Sequence, residues 1–162
     1  MIRDYVWQRF SAFVSHPMIT PLVMKLATTL DPLFLRWSGG RYYFSFVIPV
    51  LLLKCVGAKT GKLREVPLLY VPHDQKYYVL GSHGALPTEP AWCINLRKTP
   101  DVRWLAQGVL CRGSARELND NERSLIWSKA LEIYPGYANY KNRLSRAIPI
   151  FELSPSLSDF KE

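Results

Sequence analysis

This sequence predicts an α+β fold: a small barrel of short, mostly antiparallel strands, with helices at the start, in one crossover and near the end. Three observations carry that prediction. Six apolar or alternating runs of strand length are bounded by Gly, Pro, Asn and Asp turns. Helical periodicity is confined to separate stretches, which is the pattern of segregated rather than alternating layers. Finally, 162 residues with 48% hydrophobic and 13% aromatic content are enough for one domain with a real core.

The elements follow in order. Tyr5, Val6, Phe10 and Phe13 recur at near-helical spacing and stop before Pro17. A second helix is predicted from Thr20 to Leu30, with Pro21 in its first turn. A further turn through Pro32–Trp37 ends at Ser38-Gly39-Gly40. Strands are predicted at 50–57, 63–72 and 76–82, the last two joined by Pro72-His73-Asp74-Gln75. After a loop from Gly84 to Glu89, Pro90 opens a short helix over 91–97 and Pro100 ends it. Strands at 101–106 and 109–117 meet at Gln107-Gly108. Asn119 with Glu122 forms a capping box for a helix whose apolar face is Ile126, Trp127, Ala130, Leu131 and Tyr134. A short helix over 136–145 and a closing strand over 147–153 complete the set, and the tail after Pro155 is polar. The domain reading is a helical region 1–37, a barrel 38–155 and a loose tail 156–162.

Charge is distributed unevenly. Of the net +8, residues 1–64 hold +7, with nine Lys/Arg against Asp4 and Asp31. A basic excess confined to one segment points to an anionic partner: a phosphorylated cofactor, anionic lipid headgroups or nucleic acid. The chain has no nucleic-acid recognition motif and no long basic run, so no nucleic-acid role is expected. The aromatic and basic N-terminal helices read either as packing against the domain or as an amphipathic face on a membrane surface. The apolar run Phe44–Leu53 is shorter than the roughly 20 residues of a span and contains Pro49. No signal-peptide pattern is apparent, because Arg3, Asp4 and Arg9 interrupt the first helix. Cys55, Cys93 and Cys111 lack CxxC or metal spacing, so reduced thiols in a cytoplasm are expected. His16, His73 and His83 show no ligand spacing, and no metal site is expected.

One segment stands out chemically. Gly57-Ala58-Lys59-Thr60-Gly61-Lys62-Leu63-Arg64 lies between two apolar runs and packs three cations and a hydroxyl into a glycine-bracketed turn. Turn amides and cations of this kind converge on an anion. The same residues also suit an ordinary hairpin with solvated lysines. It is not a nucleotide-binding P-loop, since GxxxxGK[ST] is absent.

That turn, together with Val66-Pro67-Leu68, Gly81-Ser82-His83-Gly84, Pro90-Ala91-Trp92…Asn95-Leu96, Tyr134-Pro135-Gly136-Tyr137…Tyr140 and Ile148-Pro149-Ile150, occurs in an order and spacing that resembles the deazaflavin-dependent nitroreductase family. The resemblance covers about residues 38–153. It implies a split β-barrel of the FMN-binding type, with about six mostly antiparallel strands and flanking helices. It also implies that the reduced 8-hydroxy-5-deazaflavin coenzyme F-420 serves as hydride donor to a quinone-like or nitroaromatic acceptor.

The resemblance further implies residue roles. Lys59, Thr60, Lys62 and Arg64 would bind the coenzyme phosphate and acidic tail, and Val66, Pro67 and Leu68 would line the ring. Ser82, His83 and Gly84 would stand beside it, with Trp92 and Asn95 on a helix that closes over it. Trp92 reads equally as a core aromatic. Tyr134, Tyr137 and Tyr140, at i, i+3 and i+6, would line the acceptor pocket as the catalytic groups; by spacing alone they read as packing. Departures from the family pattern are Ala58 in place of a common Arg, His83 in place of Lys, Ala85 in place of a second glycine, Cys93 in place of Tyr, and Thr88 and Glu89 where basic residues are frequent. This loss of positive charge keeps FMN as the alternative cofactor. The competing readings are a non-catalytic deazaflavin, flavin or lipid binding protein, and an FMN or haem enzyme on the same barrel. A homodimer is an option for so small a barrel, and a location at the inner face of the cell membrane goes with a lipid-soluble quinone.

Overall fold

A computed structural model describes Met18, residues 20–39 and residues 48–156. The helix predicted over the first residues lies outside them. Helix α1 (Thr20–Trp37) leads into β1 (Val50–Val56), β2 (Leu63–His73) and β3 (Lys76–Leu80), followed by a single helical turn at His83–Ala85, then α2 (Ala91–Lys98), β4 (Asp101–Ala106), β5 (Val109–Glu117), α3 (Asp120–Ile133), α4 (Gly136–Arg143) and β6 (Ile150–Pro155). The six strands close a barrel in the order β1-β2-β3-β6-β5-β4, every pair antiparallel, so the predicted α+β split-barrel class holds.

Strand alternation sorts the side chains. Leu51, Leu53, Tyr70, Val79, Val102, Trp104, Phe151 and Leu153 point into the barrel, and Trp92, Cys93 and Leu96 of α2 join them as a plug. The opposite face of β2, β3 and β6, through Val71, Tyr78, Leu80 and Ile150, carries α3 and α4. Helix α1 lies on β1 through fully buried Leu35 against Val50, Leu52 and Leu105. Burying that leucine contributes about 1.5–3 kcal/mol.

Several boundaries differ from expectation: the closing strand expected over 147–153 is β6 (Ile150–Pro155), and the short helix expected over 136–145 ends at Arg143. The predicted second helix and the turn after it are one helix, α1, which runs through Pro32 and stops at Gly39 with φ 62°. Burial of Leu35 one turn beyond the proline holds the helix together despite the missing donor. β3 ends at Leu80, because the chain turns left-handed at His83. The capping box forms as predicted, with Asn119 accepting from Asn121 N and Glu122 N and Glu122 accepting from Asn119 N.

Glu152 ties the outer layer together. It is buried and accepts from Lys76 at 3.0 Å, Arg116 at 3.1 Å, Tyr78 at 3.2 Å and Ser154 at 3.0 Å. Burial pushes its carboxyl up, but Lys76, Ser154 and Arg116 outweigh that and hold it below the ordinary range. The Tyr78 hydroxyl is pushed up to about 12 by burial and by that carboxylate. A carboxyl depressed in the folded state stabilises the protein above the unfolded value of about 4.3, and that contribution is lost as pH falls through the folded value. The melting temperature is therefore expected to hold from neutral pH to about 5 and to fall below about 4.5. In Glu152→Gln the neutral value should drop and the acid limb should flatten; an acid limb as steep as in the wild type would exclude Glu152 as its source.

Candidate functional site

The Gly57–Lys62 turn joins β1 to β2. It is closed by Gly57 N donating to Lys62 O at 2.8 Å and by Gly61 N donating to Gly57 O at 2.8 Å. Gly61 takes φ 66°, which favours glycine. A Cβ on Gly57 would fall 2.8 Å from Thr60 Oγ1 and 3.2 Å from Lys62 O, so a larger residue there would push Thr60 aside. Lys59, Thr60, Lys62 and Arg64 are exposed. Thr60 Oγ1 accepts weakly from Lys62 N at 3.4 Å and from Arg64 Nη2 at 3.5 Å. None of the three cations pairs with an acid among the described residues. Elsewhere Arg97 pairs with Glu89 and Glu117, Arg116 with Glu122 and Glu152, and both Lys54 and Arg36 with Glu65.

Helix α2 fixes this turn. Asn95 Oδ1 accepts from Ala58 N at 2.8 Å, Asn95 Nδ2 donates to Cys55 Sγ at 3.7 Å, and Lys98 Nζ donates to Ala58 O at 2.8 Å. Both backbone groups of Ala58 are thereby held by one helix. Asn95 is thus a buried strut, and Trp92 packs edge-on to Phe151 at 5.6 Å inside the barrel. Both side chains face the protein rather than an open cleft. Trp92 takes the core position that its spacing also allowed. The other end of the helix meets Gly81, where a Cβ would fall 2.7 Å from Cys93 Sγ. Gly81 meets Cys93, and Ala58 meets Asn95 and Lys98 two and five residues further along, so this one helix sets the spacing between the basic turn and the loop after Gly81.

Between those two segments lies an unpaired edge. Tyr70 N donates to Pro49 O at 3.1 Å. Antiparallel pairing alternates, so Leu68, Val66 and Arg64 also bond β1, while Glu65, Pro67 and Leu69 direct their backbone groups away from it. β3 covers that second edge only from Tyr70 onward, and no strand of the described residues pairs with it before that point. Pro67 sits where its missing N–H faces the open edge, a position that tolerates proline. Val66 and Leu68, half-buried, turn toward the barrel interior, so Pro67 projects from the opposite face.

The loop from Gly81 to Thr88 is left-handed at three consecutive residues, with φ 52° at His83, 60° at Gly84 and 62° at Ala85. The two non-glycine positions each cost about 1–2 kcal/mol. His83 Nδ1 donates to Thr88 O at 2.8 Å, which leaves Nε2 as the acceptor of the neutral ring. Ser82 is buried.

Tyr134, Tyr137 and Tyr140 come together by a different route from the predicted helical series. Tyr134 is the extended residue after α3, and only Tyr137 and Tyr140 lie on α4. The three rings pack at 5.3, 5.9 and 6.0 Å, with Tyr134 Oη and Tyr140 Oη 3.2 Å apart. All three are buried, and Ala85 of the left-handed turn packs on the same cluster. Burial, reinforced by the neighbouring phenols, pushes Tyr134 and Tyr137 far above the ordinary tyrosine value.

Sequence reasoning missed Lys98 and Arg146, since neither belongs to a motif and each acts on chain at least 40 residues away or on a loop across the fold. A groove of about 850 Å³ runs beside Lys54, Arg103 and Arg112 and reaches the base of the basic turn at Val56 and Leu63, but Lys59, Thr60, Lys62 and Arg64 do not line it.

The closed six-strand split barrel, with its basic turn, places the chain in the class of split-barrel reductases. More narrowly, the chain belongs to the F420H(2)-dependent quinone reductase family, whose profile matches residues 34–155. It is 32% identical over 109 residues to the F420H(2)-dependent quinone reductase Rv1261c of Mycobacterium tuberculosis (strain ATCC 25618 / H37Rv), covering 65% of this chain and 73% of that one. Among solved structures it is similar to an F420-H2 dependent reductase (FDR-A), with TM-score 0.61 and 37% identity over 65% of this chain and 94% of that one. A second, described as a domain-swapped dimer, gives TM-score 0.62 and 37% identity, covering 65% and 80%. The protein is an oxidoreductase that uses the reduced deazaflavin coenzyme with a quinone acceptor. These relatives give no support to the FMN alternative.

Proposed function

We propose that the coenzyme lies between the basic turn and the Gly81–Thr88 loop, with the acceptor on the tyrosine side. Lys59, Thr60, Lys62 and Arg64 would hold its phosphate and acidic end, and the open edge at Glu65, Pro67 and Leu69, with Val66 and Leu68 behind it, would take the ring. Ser82, His83 and Gly84 would flank that ring. The observation that carries this reading is the set of three cations without an acid partner among the described residues, Lys59 and Lys62 on the turn and Arg64 at the start of β2, beside a backbone fixed by Asn95 and Lys98. The bound coenzyme supplies the hydride. Two-electron reduction of a quinone also needs a proton, and the protein must position both partners. Burial keeps Tyr134 and Tyr137 protonated at working pH, and the hydroxyls of the tyrosine cluster can donate hydrogen bonds to the acceptor oxygen. Because they are buried, α4 must shift for an acceptor to reach them. Trp92 and Asn95 would act on the coenzyme from behind, through the helix they fix.

A fluorescence titration with the deazaflavin coenzyme and with FMN tests the reading, followed by oxidation of the reduced coenzyme with quinones and nitroaromatics. Tight coenzyme binding and acceptor-dependent oxidation are expected. Binding without turnover would instead favour the carrier. Tyr137→Phe is expected to leave coenzyme affinity within about twofold and to slow turnover by about tenfold or more. Unchanged turnover would remove Tyr137 from the catalytic set.

The membrane part of the reading rests on α1. Leu26, Leu33 and Trp37 are 45%, 58% and 80% exposed and fall within about 40° of one another around the helix, opposite buried Leu35. Lys25 and Arg36 lie together on one side of that stripe, Arg36 turned to its ion pair with Glu65. No helix among the described residues is long and apolar enough to cross a membrane. A barrel at residues 38–155 with residues 1–37 resting on the inner face of the cell membrane would bring the site to a lipid-soluble quinone. Sedimentation with anionic vesicles is expected, and Leu33→Glu with Trp37→Glu should abolish it; sedimentation that persists would point away from this stripe. A homodimer is included in the reading because of the domain-swapped relative, and light scattering of the pure protein decides it.

A further inference from the structure

Arg146 lies in the connection between α4 and β6, outside every motif above. Its guanidinium donates only to backbone carbonyls among the described residues: Nη1 to Gly81 O and Ala147 O, both at 3.1 Å, Nη2 to Ser82 O at 3.2 Å, Leu86 O at 3.2 Å and Thr88 O at 3.3 Å, and Nε to Pro87 O at 3.1 Å. Five of those six acceptors belong to the Gly81–Thr88 loop. No acid pairs with the guanidinium among the described residues. Carbonyls turned toward one point repel one another unless a cation sits there, and a planar fork with five donors suits such a ring better than an ammonium does.

The loop so held is strained. Ser82 O and His83 O accept from Ala85 N and Leu86 N, each at 3.0 Å, which closes the left-handed turn. His83 and Ala85 adopt it without being glycine. Strained backbone of this kind persists only where its surroundings over-determine it. Arg146 reaches the loop from the tyrosine side of the fold, and Ala85 touches the tyrosine cluster from the loop side.

We propose that Arg146 is a positioning residue that locks the left-handed Ser82–Leu86 turn and so sets Ser82 and His83 against the coenzyme, a role that rests on the coenzyme placement above. Arg146→Lys retains charge and stem but cannot fork across the carbonyls. In the coenzyme-free protein it should speed hydrogen exchange at the Ala85 and Leu86 amides at least tenfold, with β4 and β5 amides unchanged. It should weaken coenzyme binding at least tenfold in the fluorescence titration. Adding Ala85→Gly to Arg146→Lys should recover at least threefold of that affinity, because glycine adopts the turn without strain; a purely stabilising Arg146 would show no such recovery. Unchanged exchange at those two amides overturns the lock. Faster exchange with unchanged coenzyme affinity overturns the link to the coenzyme. Wild-type protein that fails to bind the coenzyme overturns the coenzyme placement and that link with it, and the exchange comparison then decides the lock alone.

Discussion

Changing Lys59 and Arg64 together to alanine is expected to weaken coenzyme binding by about 10- to 100-fold. A charge-assisted contact contributes about 1.5–3 kcal/mol when partly buried, and these side chains are exposed, so about 1 kcal/mol each is the appropriate scale. The salt dependence of the binding constant should fall in parallel, because two cations that meet anionic groups have been removed. Arg103→Ala, which removes one charge from the groove beside Lys54 and Arg112, is the control and should change affinity less than twofold. Stability should be unaffected, since neither residue is buried or paired with an acid. Affinity and salt slope both unchanged in the double variant would place the anionic end of the coenzyme elsewhere.

Gly136→Ala is expected to injure the tyrosine side. A Cβ there would fall 2.6 Å from both Cε1 and Oη of Tyr134. Far ends of side chains often move aside, but this ring is 3% exposed and wedged against Tyr137 and Tyr140. Overpacking of this sort costs about 1–3 kcal/mol, so the melting temperature should fall by several degrees. Turnover should fall with it, and coenzyme affinity should fall less, because the basic turn and the β2 edge are untouched and only Ala85 of the Gly81–Thr88 loop meets the cluster. A variant with wild-type stability would mean that the tyrosine cluster yields easily. A variant that loses coenzyme binding instead would join the cluster to the coenzyme site rather than to the acceptor side.

Much of the fold was readable from local pattern. The β4 and β5 boundaries, the Asn119–Glu122 box and the apolar face of α3 are set by backbone period and by hydrogen bonds within a few residues, which is where sequence carries the most information. The Pro32 turn misled for the opposite reason: its helical state depends on Leu35 reaching β1, fifteen or more residues away. The site was readable only in part. The basic turn announces itself by composition and spacing. Trp92 and Asn95 do share a face of α2, but that face turns inward, and only the plugged barrel shows why.

The chain's composition and patterning alone determined a six-strand barrel with a glycine-bracketed cationic turn, because alternation, turn chemistry and charge are properties of neighbours in sequence. Tertiary closure decided the rest. The unpaired stretch of β2 exists because β3 stops short of it. The tyrosines meet because α3 ends where α4 begins. Ala58 and the Gly81–Thr88 loop are held by Asn95, Lys98 and Arg146 from 37 to 65 residues away, at separations that only the folded barrel brings within hydrogen-bond reach.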